Sequence, residues 1–327
     1  MPIDRRTLIG GTIGLAMTSA ARAQDKGPEP YAPRPGGVQW PAAEQFKLWP
    51  GTPPGAPDPL PKNNFTLNGR HRELWLRGIA EPVVAVYRPA KPDGRAVLSI
   101  PGGGYGFVSM ENEGINVAKA LNPHGISVFT LAYRLPGEGW ANRADVPLQD
   151  AQRAMRLIRA RAATWGIDPA KLGIVGFSAG GHLGAMLTVG HDDRVYDTVD
   201  AADSQSARPA YSGLVYPVVS FADAGINSRS ASMLLGDSQD AALLARYTPL
   251  KRVTAATPPI FLLHAMDDPV VPVQQSLAMI DACRTAKVPV EAHLIERGGH
   301  GFGALFLPKD SPNHAWLDVF ARWTAAR

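Results

Sequence analysis

Three side chains of the types that activate an oxygen nucleophile occur in this sequence in the order serine, carboxylate, histidine. The serine is Ser178, within Gly176-Phe177-Ser178-Ala179-Gly180. An apolar run, Leu172 to Val175, precedes it, and a helix-like stretch, Ala179 to Val189, follows. A tight strand-to-helix turn needs small residues two positions either side of the serine, and glycine stands at both. Such a turn lifts the hydroxyl above a sheet. It also sets it at a helix N-terminus, where backbone N–H groups favour negative charge. A serine hydroxyl is a poor nucleophile until a base takes its proton. His300, in Gly298-Gly299-His300-Gly301, has few packing duties and a backbone free to bend toward the serine. Between them, the apolar run Phe261 to Leu263 leads into a loop with two acids, Asp267 and Asp268.

Acyl chemistry also needs donors for a developing oxyanion. Pro101-Gly102-Gly103-Gly104-Tyr105 follows a short apolar run, Ala96 to Ile100, and its glycines let backbone N–H groups approach a substrate. The expected donors are the amides of Gly103 or Gly104 and of Ala179. His182 and His264 read as structural histidines near the site. No H-x-x-x-H or H-E-x-x-H spacing points to a metal site, and no cofactor is expected. The five aspartates between 191 and 212 lack the spacing, glycine and closing glutamate of a calcium loop and read as a solvated segment.

These residues need a frame. Phe65 to Leu76, Val83 to Tyr87, Ala96 to Ile100, Ser127 to Tyr133, Leu172 to Val175, Gly213 to Ser220, Pro259 to His264 and Val290 to Ile295 read as strands. Ile115 to Leu121, Val146 to Trp165, Ala179 to Val189, Val273 to Ala286 and His314 to Ala326 read as helices. In the second of these, Ala151, Ala154, Met155, Ile158 and Ala162 recur at helical spacing. Strands alternating with helices predict an α/β fold with a mostly parallel sheet covered on both faces.

The chain has 327 residues, 45% hydrophobic and 19% charged, enough for a sizeable core. Its net charge is +4, of which the first 23 residues carry +2 through Arg5, Arg6 and Arg22 against Asp4. The remainder is too weakly basic to indicate nucleic-acid binding. The lone cysteine, Cys283, excludes an internal disulfide and reads as a small buried side chain.

Paired Arg5-Arg6, a weakly apolar run from Leu8 to Ala21 and the A-x-A-like Ala21-Arg22-Ala23 predict a twin-arginine export signal over residues 1–23. The mature chain is then expected to begin near Gln24, in the periplasm or outside the cell. No later run is long and apolar enough for a stable membrane span. Residues 24–62 contain eleven prolines and read as an extended arm over the surface, with Trp40, Phe46 and Trp49 as anchors. Residues 63–327 form the catalytic domain in this reading.

Together, Pro101 to Tyr105, Ala132 to Pro136, Gly176 to His182, His264 to Pro272 and Gly298 to Phe302 resemble the bacterial acetylxylan-esterase-like group of α/β hydrolases, close to the hormone-sensitive-lipase-like esterases. Trp49-Pro50-Gly51 is similar to that group as well. The resemblance implies an α/β-hydrolase fold with Ser178, Asp268 and His300 as the catalytic residues. It favours Asp268 over Asp267 because Asp268 stands three residues before Val271-Pro272, as in many hydrolases of this fold. It implies cleavage of short acyl esters, acetyl above all, from carbohydrate such as acetylated xylan. The glycine loop resembles the HGGG loop of lipases with proline in place of histidine, which argues against a bulky lipid substrate. Other readings are a general short-chain carboxylesterase, a peptidase of the prolyl-oligopeptidase type and a non-catalytic binding protein. The expected partner is a small-molecule or oligosaccharide ester. Trp140 reads as an exposed tryptophan that stacks on sugar or serves in the core or a lid.

Overall fold

The computed structural model describes residues 28–32, 37–69, 71–221, 229–238 and 240–327. The proposed export signal lies outside them. The strands, in chain order, are β1 (Glu29–Pro30), β2 (Gln45–Lys47), β3 (Asn64–Asn68), β4 (Glu73–Arg77), β5 (Val83–Tyr87) and β6 (Ala96–Ile100). They continue with β7 (Val108–Ser109), β8 (Ser127–Ala132), β9 (Leu172–Phe177), β10 (Ser212–Val215), β11 (Ile260–Ala265) and β12 (Val290–Ile295). The α-helices are α1 (Asn116–Leu121), α2 (Val146–Ala160), α3 (Ser178–Val189), α4 (Arg229–Leu235), α5 (Ala241–Arg246), α6 (Gln274–Thr285) and α7 (Trp316–Thr324).

The main sheet runs β12-β11-β10-β9-β6-β8-β5-β2. From β12 to β8 every pairing is parallel, and β5 and β2 close the edge antiparallel. Strands β6, β8, β9, β10 and β11 are buried along their whole length, as continuous apolar runs covered on both faces must be. After β6 the chain adds β8 on one side, then crosses to add β9 on the other. A sheet of this kind opens a crevice beyond the carboxyl ends of the strands where the winding reverses. The glycine loop leaves β6 and Ser178 leaves β9, so both flank that crevice.

A second sheet, β1-β3-β4-β7, is antiparallel throughout. Its strands β3 and β4 correct the expectation of one strand from Phe65 to Leu76. The chain turns back after Asn68, with Gly69 at φ +67°. Asn-Gly is a strong hairpin signal, so the turn was readable in principle. The strand expected over Gly213 to Ser220 stops at Val215, because Tyr216 adopts φ +37° and Pro217 has no N–H to donate. Helix α2 ends at Ala160, short of Trp165, and gives way to a 3-10 turn.

The proline-rich arm does not only run over the surface. Its β2 pairs with β5 as the last strand of the main sheet, and Leu48 and Trp49 enter the core. Trp49 Nε1 donates to Asp150 at 2.8 Å, and Arg153 Nε donates to the Leu48 carbonyl at 3.0 Å. The composition break near residue 62 is therefore not a break in packing. The polar 191–212 segment is likewise partly anchored. Asp200 and Asp203 pair with the buried Arg153, and Asp193 pairs with Arg252. Cys283 is buried, and burial pushes its thiol up to about 11.

Arg134, just beyond β8, has a fully buried side chain. Its guanidinium meets Asp150 at 2.8–3.0 Å, donates to the carbonyl of Pro54 and the side chain of Gln149, and lies 5.3 Å from the Trp49 ring and 4.8 Å from the Trp140 ring. Trp140 is 4% exposed, which bears out its reading as a core side chain over that of a sugar-stacking one. A buried ion pair adds little over an apolar substitute, but breaking one leaves a desolvated charge. Asp150→Ala is expected to cost about 3–5 kcal/mol in urea unfolding. A loss below 1 kcal/mol would show that water reaches Arg134.

Candidate active site

The turn between β9 and α3 is set by steric exclusion. Ser178 adopts φ +52°, a conformation that costs a non-glycine residue about 1–3 kcal/mol and persists only where the surroundings enforce it. A Cβ at Gly180 would lie 2.1 Å from the Ile100 carbonyl oxygen and 2.4 Å from that of Pro101. The end of β6 thus presses directly on the first turn of α3, and glycine is required there. Ser178 is 8% exposed, its hydroxyl reaching the crevice.

The structure brings the serine, the histidine and one acid together. Ser178 Oγ lies 2.8 Å from His300 Nε2, and His300 Nδ1 lies 2.7 Å from Asp268 Oδ2. The Asp268 carboxylate can only accept when ionised, so His300 carries its proton on Nδ1. That leaves Nε2 to accept from the serine hydroxyl. The strand ends supply all three: Ser178 follows β9, Asp268 follows β11 and His300 follows β12.

The two adjacent aspartates divide two tasks. Asp268 faces His300, while Asp267 Oδ1 accepts the amides of Gly298 at 2.9 Å and Gly299 at 2.8 Å. Asp267 thereby fixes the loop that carries the histidine. The Asp268 side chain is fully buried. Burial opposes its ionisation, but hydrogen bonds from His264, His300 and the Val271 amide outweigh that and hold the carboxyl well below the usual carboxylate range.

Sequence reasoning placed His264 near the site but did not see its contact. Its Nε2 lies 2.9 Å from the Val271 carbonyl and 3.3 Å from Asp268 Oδ2, and its Nδ1 lies 2.8 Å from Ser276 Oγ. Two acceptors at Nε2 put the proton there, so His264 is a second donor to the acid. His182 is bound by Tyr105 and the Tyr247 carbonyl, each at 2.8 Å, and burial pushes it down to about 4, so it stays neutral. Among the described residues no group of three or more His, Cys, Asp or Glu side chains could hold a metal ion.

Gly103 and Gly104 line one cleft with Ser178 and His300, a cavity of about 360 Å³. Gly103 sits at φ +129°, where a Cβ would meet the Phe107 carbonyl oxygen at 2.1 Å. The Gly102 amide is already committed, donating to Glu113 Oε2 at 2.7 Å. Donors for an oxyanion must therefore come from beyond it in the loop, and Ala179 is the second residue of the twelve-residue helix α3, whose first amides have no partner within the helix.

Glu113 and Tyr216 were not singled out by sequence, because each gains its role from distant contacts. Tyr216 donates to Glu113 Oε1 at 2.7 Å and accepts from the Gly303 amide at 2.8 Å. Its ring centroid is 4.8 Å from that of His300. One buried carboxyl thus ties the glycine loop to the histidine loop. Burial pushes Glu113 up to about 7, against hydrogen bonds from Tyr216 and Gly102 that favour the ion. A folded value above the ordinary 4.5 means that stability present below pH 4.5 is lost as pH rises to about 7. Full ionisation costs roughly 3 kcal/mol at about 1.36 kcal/mol per pKa unit. Glu113→Gln cannot titrate. In urea unfolding at pH 4 and pH 8, the wild type is expected to lose roughly 3 kcal/mol relative to this variant. Equal losses in both proteins would contradict the assignment.

A sequence profile of the BD-FAE family matches residues 84–282. The chain is 33% identical over 243 residues to an acetylxylan esterase of Xylanibacter ruminicola, covering 73% of this chain and 46% of that protein. It is 35% identical over 205 residues to endo-1,4-beta-xylanase B of Butyrivibrio fibrisolvens, covering 63% of this chain and 32% of that protein. The chain therefore spans less than half the length of these two relatives. The crystal structure of an acetyl ester-xyloside bifunctional hydrolase from Caldicellulosiruptor lactoaceticus superposes with a TM-score of 0.68 at 31% identity, covering 88% of this chain and 97% of that one. With the sheet and strand-end loops described above, the chain has the α/β-hydrolase fold, and it belongs to the BD-FAE family.

Proposed function

We propose that this protein is a serine carboxylic ester hydrolase that removes short acyl groups, acetyl above all, from carbohydrate such as acetylated xylan. The observation that carries the reading is the continuous hydrogen-bonded line Ser178–His300–Asp268 at 2.8 and 2.7 Å, opening on the glycine-loop cleft. The names of the relatives supply the carbohydrate ester.

In this mechanism Ser178 Oγ attacks the ester carbonyl carbon while His300 Nε2 takes its proton. Asp268 holds the imidazole in the required tautomer and stabilises the imidazolium that forms. The amides of Gly103 or Gly104 and of Ala179 receive the negative charge on the carbonyl oxygen. Loss of one such donor typically costs about 10²–10³ in rate. The alcohol leaves with the proton from His300, and an acyl-enzyme remains on Ser178. His300 then activates water, which releases the acid and restores the serine. No cofactor enters these steps.

The peptidase reading is not favoured, since the relatives named above are an esterase, a xylanase and an acetyl ester hydrolase. A general short-chain carboxylesterase would use the same residues and differs only in the alcohol. Among the described residues no helix is long and apolar enough to cross a membrane. The proposal includes export by the twin-arginine route to the periplasm or beyond, supported by Arg5-Arg6 and Ala21-Arg22-Ala23. It includes no nucleic-acid partner.

Wild type is expected to release acetate from acetylated xylo-oligosaccharides, and Ser178→Ala to lose at least about 10³-fold in kcat. Equal release by both would remove Ser178 from the mechanism, and no release by the wild type would exclude the xylan ester. N-terminal sequencing of the exported protein is expected to begin near Gln24. A retained Met1 would contradict cleavage of a signal.

A further inference from the structure

Part of the wall of the cleft comes from the small antiparallel sheet. Strand β4 alternates, with Leu74 and Leu76 buried in the core and Glu73, Trp75 and Arg77 half-buried on the other face. Trp75 stacks on Phe107, which belongs to the segment between the glycine loop and β7, with ring centroids 3.8 Å apart and planes 15° apart. Arg77 lies 5.4 Å from the Trp75 ring and 5.1 Å from the Phe107 ring. Glu73, Trp75 and Phe107 line the same cleft as Ser178 and His300.

Glu73 is the informative member. Its Oε1 accepts from Trp75 Nε1 at 2.7 Å and its Oε2 from Ser109 Oγ at 3.2 Å. Among the described residues it makes no ion pair. Burial raises its pKa above the usual carboxylate value. An unpaired carboxylate beside aromatic rings is costly, and it contributes nothing to the ester-cleaving line of Ser178, His300 and Asp268. Each oxygen has lone-pair capacity left after its one neutral donor. An alkyl alcohol would cover this carboxylate and remove water from it without compensation. A polyol would replace the lost water with O–H donors, and the C–H face of a sugar ring matches an aromatic wall. A cationic alcohol such as choline would also match a carboxylate and aromatic rings, but Arg77 over those rings and Arg229 on the cleft lining oppose a second positive charge.

We propose that the cleft-facing side of β4 is the subsite for the sugar ring of the leaving alcohol, with Glu73 accepting hydrogen bonds from its hydroxyls and the Trp75–Phe107 pair covering its apolar face. This rests on the carbohydrate-ester reading given above and names the residues that select the alcohol. Glu73 acts on the bound ring and takes no proton from the reacting ester.

The test compares kcat/KM on acetylated xylobiose and on p-nitrophenyl acetate, for wild type and Glu73→Gln. Gln keeps an oxygen for the Trp75 indole but loses the charge. The ratio of the two constants is expected to fall at least tenfold in the variant, through KM for the sugar ester. A second measurement uses the wild type and needs no folded variant. Xylobiose is expected to inhibit p-nitrophenyl acetate hydrolysis competitively, and choline at the same concentration not to. An unchanged ratio, or inhibition by choline in place of xylobiose, would overturn the subsite while leaving the esterase intact. No turnover of acetylated xylobiose by the wild type, with p-nitrophenyl acetate still cleaved, would overturn the carbohydrate reading and the subsite with it.

Discussion

There is no room for a methyl group between Gly180 and the carbonyl oxygens of Ile100 and Pro101. That contact wedges the end of β6 against the start of α3, and the rest of the site follows from it. It sets how far the glycine loop stands from the N-terminus of α3, and so where two sets of backbone N–H groups converge. Just before that contact in the chain, Ser178 holds a left-handed conformation, which the residue would not adopt unaided. Ser178 and the glycine-loop residues that face the cleft are therefore positioned by backbone packing.

The histidine lacks such rigid support, since its loop is flanked by glycines. Carboxylates provide the support instead. Asp268 orients the ring, Asp267 holds the loop amides, and Glu113 acts through Tyr216 at Gly303. The three differ in electrostatic character. Asp268 is buried yet kept ionised by two histidines and backbone amides, so it is a fixed negative charge beside the imidazole. Glu113 is buried with neutral donors alone, and its ionisation is pushed toward neutral pH. The same chemical group is thus a permanent charge in one place and a titrating strut in another, according to how far burial is offset by its neighbours.

The parts that depend on local chemistry were legible in the sequence. Gly176, Gly180 and the triple glycine follow from sterics that act over a few residues, and the alternation of apolar runs gave the parallel sheet. The separation of Asp267 from Asp268 needed family resemblance, because both lie on one loop and either could reach a histidine. Long-range partners were hidden. Glu113 and Tyr216 are 103 residues apart in sequence, and nothing near either signals the other. His264 gave no local sign of its hold on Asp268. The arm was legible in part: Phe46 and Trp49 read as its anchors, whereas the pairing of Gln45–Lys47 with the main sheet was hidden, because three residues are too few to carry a strand pattern.

The central claim is that Ser178 is activated by His300, and covalent labelling tests it most directly. Treatment of the folded protein with a fluorophosphonate, followed by digestion and mass spectrometry, is predicted to place a single adduct on Ser178. The labelling rate is predicted to collapse when His300 is replaced by Ala. Absence of an adduct, an adduct on another serine lining the cleft such as Ser230, or labelling of Ser178 at the same rate without His300 would contradict the account.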